Sequence, residues 1–412
     1  VIGANSTSAN RGTTVIGSAS YADAALATTL GAYSRATGSS ATAIGSGAFA
    51  SGFNALSMMR QAAATANQSV AIGGVSQATS AGAIALGQSA NASGQQSIAI
   101  GASNAVTAND QQLGMLVSSN YDGTTNTKAS GLKAIALGAG TSAGADNAVA
   151  LGSAAQSTGV SAIALGTNAL SSVQSGIAIG EGAQTIATAN TSLDAGNTLA
   201  PVHSVAIGTQ AISENRYAVS LGYKANAMKD WGVALGSDSV SRGQDSVALG
   251  HSAAANNLGD IFIGYQTGNG NTVTAGEQSS VAIGYRAANN TSAASNMVAI
   301  GTQAATGMTG DYNVAIGGNA GSTITGTGSI PARAAITNNY TTSVGARSYA
   351  SGADSSAFGT RAEATGSSAV AVGVGSKAGG ASSVATGDSA QATAARAIAI
   401  GSNAQATGSQ SI

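Results

Sequence analysis

The residues that could perform chemistry in this 412-residue chain are few and widely separated. There are two histidines, His203 and His251, and no cysteine. A metal site needs several His, Cys or carboxylate ligands at one place, and this spacing provides no such group. Gly373 and Gly375 begin a dinucleotide-binding pattern, but Ala378 occupies the position of its third glycine. We therefore expect no catalytic residue, no metal ion and no cofactor, and a protein that is not an enzyme.

Aromatic side chains are the more promising functional residues, because Tyr and Trp supply much of the binding energy at protein interfaces. Only 4% of the residues are aromatic, yet Tyr217 and Trp231 are separated by a 14-residue step that recurs along the chain. If this step reflects a structural repeat, these rings lie side by side and can stack. The alternative is that they pack at corners beneath neighbouring loops. The candidate contact residues are Tyr217, Trp231, Tyr223, Tyr265, Tyr285, Tyr312, Tyr340 and Tyr121.

The same step organises the whole chain through a short motif that ends in glycine. Five consecutive blocks, SVAIG, AVSLG, GVALG, SVALG and DIFIG, close on Gly208, Gly222, Gly236, Gly250 and Gly264. The closing glycine recurs from Gly3 to Gly401, and most of the intervals between successive closing glycines repeat this 14-residue step. A strict short period is typical of stacked-repeat proteins, in which each repeat packs on its neighbours.

Each repeat predicts two short strands. In residues 246–259, Val247 and Leu249 alternate with Ala248, so valine and leucine share one face of a strand and alanine lies on the other. The second half, as in residues 402–408, places alanines on one face and polar side chains on the other. A repeat of this length allows one coil with two legs of about seven residues, and successive coils then pair in parallel. We predict an all-β parallel solenoid with Val, Ile and Leu inside each coil.

On this prediction, the alanine face of the first strand lies outside the coil. A long, flat apolar stripe is usually covered, so we infer that it forms the interface of an oligomer packed around a common axis. The alternative is an exposed alanine stripe that is simply tolerated. The predicted interface consists of Ala71, Ala99, Ala150, Ala178, Ala206, Ala248, Ala282, Ala299, Ala315, Ala371 and Ala399.

Composition excludes several partner classes. The formal net charge is −1 and only 8% of residues are charged, against about 25% in ordinary globular proteins. Without a basic patch, we expect no nucleic-acid partner. No apolar run approaches the roughly 18 residues of a membrane helix, so we expect no direct membrane insertion. The chain begins and ends within the repeat pattern, and we expect it to be a piece of a longer protein whose targeting and anchoring parts lie elsewhere.

We interpret residues 1–412 as a single repeat array rather than as separate domains. Where the period fails, solenoids place inserted loops or hairpins at corners. The intervals of double length, such as that from Gly45 to Gly73, could instead hide a degenerate coil each, and the sequence leaves that alternative open. The predicted insertions lie near 46–68, 102–132, 181–203, 265–279 and 318–340.

The motif and its period resemble the YadA-like head of trimeric autotransporter adhesins of Gram-negative bacteria. SVAIG occurs at 69–73, 204–208 and 280–284, with variants SIAIG at 97–101 and NVAIG at 313–317. The resemblance covers essentially the whole chain. It implies a left-handed parallel β-roll and a homotrimer, so that the alanine face would be a trimer interface.

The resemblance also implies a function and a location. It implies an adhesin head at the cell surface, anchored in the outer membrane by regions outside this sequence. The implied partners are host extracellular-matrix proteins, other cells or abiotic surfaces, with autoagglutination and biofilm formation as consequences. The alternative is an architectural spacer in a surface fibre whose adhesive site lies elsewhere.

Overall fold

The chain folds into two compact units, Val1–Arg216 and Tyr217–Ile412. The structure is a computed structural model that describes residues 1–103, 126–186, 203–270, 279–291, 295–323 and 333–412. Within the described residues of each unit, every regular element is a strand, and consecutive coils pair in parallel. The predicted all-β parallel solenoid is therefore confirmed.

Among the described residues of the first unit, each first-leg strand, before the closing position, is followed by a second-leg strand after it, and Thr7–Ser8 follows an isolated bridge at Ile2. The first-leg strands are Thr14–Ile16, Thr28–Leu30, Thr42–Ile44, Leu56–Met58, Val70–Ile72, Ile84–Leu86, Ile98–Ile100, Ile135–Leu137, Val149–Leu151, Ile163–Leu165, Ile177–Ile179 and Val205–Ile207. The second-leg strands are Thr7–Ser8, Tyr21–Ala22, Arg35–Ala36, Phe49–Ala50, Ala63–Ala64, Gln77–Ala78, Asn91–Ala92, Lys128–Ala129, Ser142–Ala143, Gln156–Ser157, Leu170–Ser171, Gln184–Ile186 and Ile212–Glu214.

The second unit repeats this plan, although its second-leg sheet is interrupted. The first-leg strands are Val219–Leu221, Val233–Leu235, Val247–Leu249, Ile261–Ile263, Val281–Ile283, Val298–Ile300, Val314–Ile316, Thr342–Val344, Ser356–Phe358, Val370–Val372, Val384–Thr386 and Ile398–Ile400. The second-leg strands are Asn226–Ala227, Val240–Ser241, Ala254–Ala255, Tyr349–Ala350, Glu363–Ala364, Lys377–Ala378, Gln391–Ala392 and Gln405–Ala406.

The closing glycine is required by the close approach of successive coils. Gly236 has a φ of 131°, and a Cβ atom built on it would lie 2.6 Å from the carbonyl oxygen of Gly250 in the next coil. Any side chain would therefore meet backbone as well as adopt a conformation that L-residues avoid. The glycine sets the corner, and the 14-residue register follows, with Val233 paired to Val247.

The interior of a typical regular coil contains small side chains. In the coil of Val247–Leu249, the inward residues Ser246, Ala248, Ala253 and Ala255 have no exposed surface. The Ser246 hydroxyl donates to a corner carbonyl, that of Gly243, at 2.8 Å, which satisfies a polar group that would be costly to bury alone. Alanine from one leg faces alanine or serine from the other, so the two legs lie close together.

The predicted assignment of the two strand faces is wrong. The alanines assigned to the subunit interface point into the coil instead, and each is between 0 and 2% exposed in a single chain. In most described coils Ala or Ser fills the inward position and the larger aliphatic residues point outward, although Val15 is the inward residue of Thr14–Ile16. The corrected residues are Ala71, Ala99, Ala150, Ala178, Ala206, Ala248, Ala282, Ala299, Ala315, Ala371 and Ala399.

The large aliphatic residues form an outward stripe along the first legs of the coils in each unit. Leu151 and Leu165 in the first unit are 38% and 37% exposed, and Leu221 in the second is 43% exposed. We call these outward Val, Ile and Leu side chains the aliphatic stripe. It is continuous along consecutive first-leg strands, and contiguous apolar surface of this kind marks an interaction site.

The interpretation of residues 46–68 as an insertion is wrong. Leu56–Met58 is a regular first-leg strand that pairs with Thr42–Ile44 on one side and Val70–Ile72 on the other. Met59 occupies the position of the closing glycine, with a φ of 87°. The interval therefore holds a complete coil whose corner glycine has been replaced, which is the alternative that the sequence left open.

Other long intervals keep the register across a greater sequence separation. Ile98 pairs with Ile135, Ile177 with Val205, and Val314 with Thr342. At each of these places the step between paired first-leg strands is at least twice the regular one, which pairs Val233 with Val247. First-leg strands therefore remain paired even where the sequence separation between them is not 14 residues.

Replacing Ala85 with Val tests which face lies inside the coil. Ala85 is fully buried, and added methyl groups in a close-packed interior typically cost about 1–3 kcal/mol. We expect a loss of this size in the free energy of unfolding, measured by chemical denaturation followed by circular dichroism. Val70→Ile is the matched control, because it adds a methylene on the outward face beside Ile84, its partner in the ladder. Equal stability of Ala85→Val and wild type would contradict the assignment.

Candidate contact surface

The predicted contact residues of the second unit occupy the corners of its coils. Tyr217 and Trp231 precede the first leg and have φ values of 55° and 56°, in the left-handed region that only a few per cent of non-glycine residues adopt. Tyr265 and Tyr285 directly follow the closing glycines Gly264 and Gly284. A corner side chain points away from the narrow interior, so a large ring can be carried there without enlarging the coil.

One side of the second unit bears a ladder of three stacked rings, His251, Tyr265 and Tyr285. The ring centroids of His251 and Tyr265 are 5.3 Å apart, as are those of Tyr265 and Tyr285, and the planes deviate by 10° and 7°. We call this group the ring ladder. Its spacing matches the roughly 4.8 Å separation of paired strands, so the stack follows from the register of the coils.

Two further ring pairs lie at the corner that precedes the first-leg strand. Tyr217 and Trp231 stack with centroids 6.1 Å apart, as their 14-residue spacing predicts, and Tyr312 and Tyr340 stack at 5.1 Å. The seven predicted aromatic residues that the structure describes are each between 40 and 58% exposed. Their edges are therefore accessible in a single chain. The eighth, Tyr121, lies outside the described residues.

Cations accompany several of the rings. The Arg286 guanidinium lies 5.4 Å from the Tyr285 ring centroid, and its Nε donates to Gln266 Oε1 at 2.8 Å. The Lys224 ammonium lies 5.0 Å from the centroid of Tyr223. Such cation–π contacts hold long side chains in place at exposed sites.

Sequence reasoning missed a second arrangement of rings, in the first unit. The Arg35 guanidinium lies 5.9 Å from the ring centroid of Tyr21 and 5.5 Å from that of Phe49. These residues occupy equivalent positions on three successive second legs. Their 14-residue spacing was a signal that could have revealed them. His251 was likewise left out of the predicted contact residues, although the ladder begins with it.

A buried carboxylate lies close to the ring ladder. The regular second-leg strands stop after Ala254–Ala255, and the N–H of the next residue, Asn256, donates to Asp260 Oδ2 at 3.2 Å. The N–H groups of Asn257 and Ser280 donate to the same carboxylate at 2.9 Å each. Asp260 thus caps the end of the sheet. Its burial raises the pKa of the carboxyl group to about 6, although these three hydrogen bonds oppose the shift.

The described residues hold no group of three or more His, Asp or Glu side chains placed to bind a metal ion. In the same residues there is no helix with the length and hydropathy that crossing a membrane requires. The prominent features of the described surface are its exposed rings, its cations and its aliphatic stripe.

Comparison with known families agrees with the repeat motif. The family profile described as the YadA head domain repeat (2 copies) matches ten overlapping or separate segments, which together cover just over half of the chain. They are residues 78–104, 125–141, 129–155, 143–169, 157–183, 202–225, 232–258, 337–362, 364–390 and 392–412. No curated protein matches the chain.

The coils and their glycine corners define the class of the protein as a parallel β-solenoid of head-domain repeats. The chain belongs to the YadA head family of trimeric autotransporter adhesins. This is a family of adhesins rather than enzymes, and it is exposed at the cell surface. The family resemblance seen in the SVAIG motif is confirmed.

Asp260 predicts a pH dependence of stability. Its pKa of about 6 in the folded chain exceeds the value of roughly 3.9 for an unfolded Asp, so the folded state binds more protons between these values. The contribution of Asp260 to stability therefore falls as pH rises from about 4 to 6, by up to about 3 kcal/mol.

We expect denaturation midpoints measured across this range to show the fall. Asp260→Ser is the matched variant, because Ser246 and Ser280 occupy the equivalent position in the adjacent coils. The variant should lose this component of the pH dependence. An identical pH profile in variant and wild type would show that Asp260 does not titrate in this range.

Proposed function

We propose that this chain is the adhesive head of a cell-surface fibre, assembled as a homotrimer and attaching to surfaces through its exposed aromatic corners. The observation that carries the proposal is the ring ladder with the two ring pairs, which concentrates exposed aromatic residues on a chain that is only 4% aromatic. Exposed Tyr and Trp held rigidly are well suited to recognition, since little side-chain entropy is lost on binding.

The homotrimer is supported by the aliphatic stripe. Its side chains are more than one third exposed at many positions in a single chain, and covering them with two further copies removes apolar surface from water. Each buried methylene contributes about 0.8 kcal/mol, and the gain is repeated at every coil. In this proposal the aliphatic stripe, rather than the alanine face, forms the subunit interface. Three copies also multiply weak contacts into firm attachment.

The partners that we propose are extracellular-matrix proteins, other cells and abiotic surfaces, with autoagglutination and biofilm formation following from contacts between heads. Anchoring in the outer membrane would be provided by regions outside this sequence. A second candidate is an architectural spacer with its adhesive site elsewhere. The uninterrupted first-leg ladder within each unit favours it, because such a ladder makes a stiff rod.

The trimer predicts a specific response to charge on the aliphatic stripe. The wild-type chain should sediment with the mass of three chains. Replacing Leu235 and Leu249 together with Asp would bury six carboxylates per trimer, a cost that no partner charge offsets. We expect monomers or disordered aggregates in analytical ultracentrifugation.

Gln391→Asp, on the outward face of a second leg, is the control and should remain a trimer. A wild-type chain that sediments as a stable monomer would refute the assembly.

Attachment is tested by removing the rings. Replacing Tyr217, Trp231, Tyr265 and Tyr285 with Ser, a residue common at these corners, should weaken attachment of head-coated beads to cells or matrix-coated plates at least about tenfold. Tyr33→Ser is the matched control, since Tyr33 is an exposed corner residue with a φ of 59° but lies outside the ring groups. If the fourfold variant attaches as well as wild type, the spacer function is favoured instead.

A further inference from the structure

A groove lies on the outward face of two second legs in the second unit, beside the ring ladder. Its volume is about 460 Å³, and Asp238, Arg242, Ser252 and Asn256 are among its lining residues. This size falls within the range of small-ligand sites. The groove is found where the second-leg sheet stops at Ala254–Ala255.

The end of the sheet creates the groove. In the preceding coil, the N–H groups of Val240 and Arg242 both donate to the next second leg. In the following coil Ala254 still donates to Thr267, but Asn256 donates to the Asp260 carboxylate. Asn269, in the turn that follows in the next coil, also lines the groove. Buried hydrogen bonds from Asn256 and Asn257 to Asp260 hold the chain where the strands stop.

The lining combines an apolar floor with polar walls. Val240 and Ala254 are outward residues of the two second-leg strands and line the floor. The Arg242 guanidinium donates to Asn256 Oδ1 at 2.7 Å, which fixes its direction. Together with Asp238, Ser252 and Asn269, the walls present both hydrogen-bond donors and acceptors.

The ring ladder is joined to the groove by a direct contact. The Ser252 hydroxyl lies 3.1 Å from His251 Nδ1, so the first ring of the ladder borders the groove. One coil earlier, the position equivalent to His251 is Ser237, whose hydroxyl donates to Asp238 at 3.1 Å. The ring ladder therefore ends at His251. Ser237, in the preceding coil, is small, and the groove lies beside the His251 ring.

We propose that this groove binds a neutral oligosaccharide. Sugar hydroxyls both donate and accept, which suits the mixed walls, while the C–H faces of a sugar ring suit the Val240–Ala254 floor and the His251 ring. One carboxylate and one guanidinium line the groove, so its charges balance and it has no net preference for an acidic sugar. A peptide strand is disfavoured, because the N–H groups of Val240, Arg242, Ala254 and Asn256 are already bonded within the fold.

The inference rests on the proposed adhesive function and names the chemistry of its partner. It is tested with the purified chain on an array of neutral hexose and N-acetylhexosamine oligosaccharides, with sialylated and sulfated counterparts. We expect binding to a subset of the neutral glycans.

The blocking variant is Ala254→Phe. The fold carries Phe49 and Tyr349 at equivalent second-leg positions, so the ring should be accommodated while filling the groove. We expect binding at least about tenfold weaker, and a similar loss in Arg242→Ala. Gln391→Phe makes the same change at an equivalent position away from the groove and should bind as wild type does, with unchanged circular dichroism and trimer mass for all three.

Cell attachment separates this inference from the adhesive function. Attachment that survives both enzymatic removal of surface glycans and Ala254→Phe would overturn the groove proposal and leave the adhesin standing. Glycan binding on the array without attachment to any cell would overturn the adhesin and leave the groove. Absence of glycan binding, binding to acidic glycans only, or equal binding to a glycoprotein and its deglycosylated form would each overturn the groove.

Discussion

The separation between the two legs of a coil governs the rest of this structure. Backbone hydrogen bonds between successive coils hold both legs in parallel ladders, and the glycine corner turns the chain within one residue, as at Gly236. In most regular coils the space that remains between the legs is filled by Ala, Ser and Thr, although Val15 occupies it in the coil of Thr14–Ile16. Most bulky residues of the regular coils therefore lie outside, on a face or at a corner, where they can meet a partner.

Departures from this rule occur together in one part of the second unit. Between Ile261–Ile263 and Thr342–Val344 no second-leg strand forms among the described residues, and the interior holds Phe262, Met297 and Met308. Hydrogen bonds between second legs continue there, as from Gly268 to Ala287 and from Ala288 to Ala304. Where the regular strands stop, Asp260 accepts the N–H groups of Asn256, Asn257 and Ser280. The ring ladder and the groove border this place, which links an irregularity of packing to the proposed binding surface.

The stacked rings illustrate how a solenoid amplifies small sequence choices. A ring at one corner is an isolated exposed residue, but rings at the same corner of successive coils stack at about the strand spacing, as Tyr265 and Tyr285 do at 5.3 Å. The same translation aligns Tyr21, Arg35 and Phe49 in the first unit. Rigid, repeated side chains of this kind favour multivalent contact, in which individually weak interactions are summed.

The sequence by itself determined the 14-residue coil, the parallel ladder, the glycine corners and the stacking of Tyr217 on Trp231, because these depend on period alone. It could not decide which face of the first strand lies inside. Alternation separates Val247 from Ala248, but both are apolar, so the pattern does not show which of the two faces points into the coil. Nor could it show that Met59 replaces a corner glycine or that the sheet ends at Asn256. Those features depend on the distance between the two legs and on which backbone groups form hydrogen bonds. Only the tertiary structure determines that distance and those bonds.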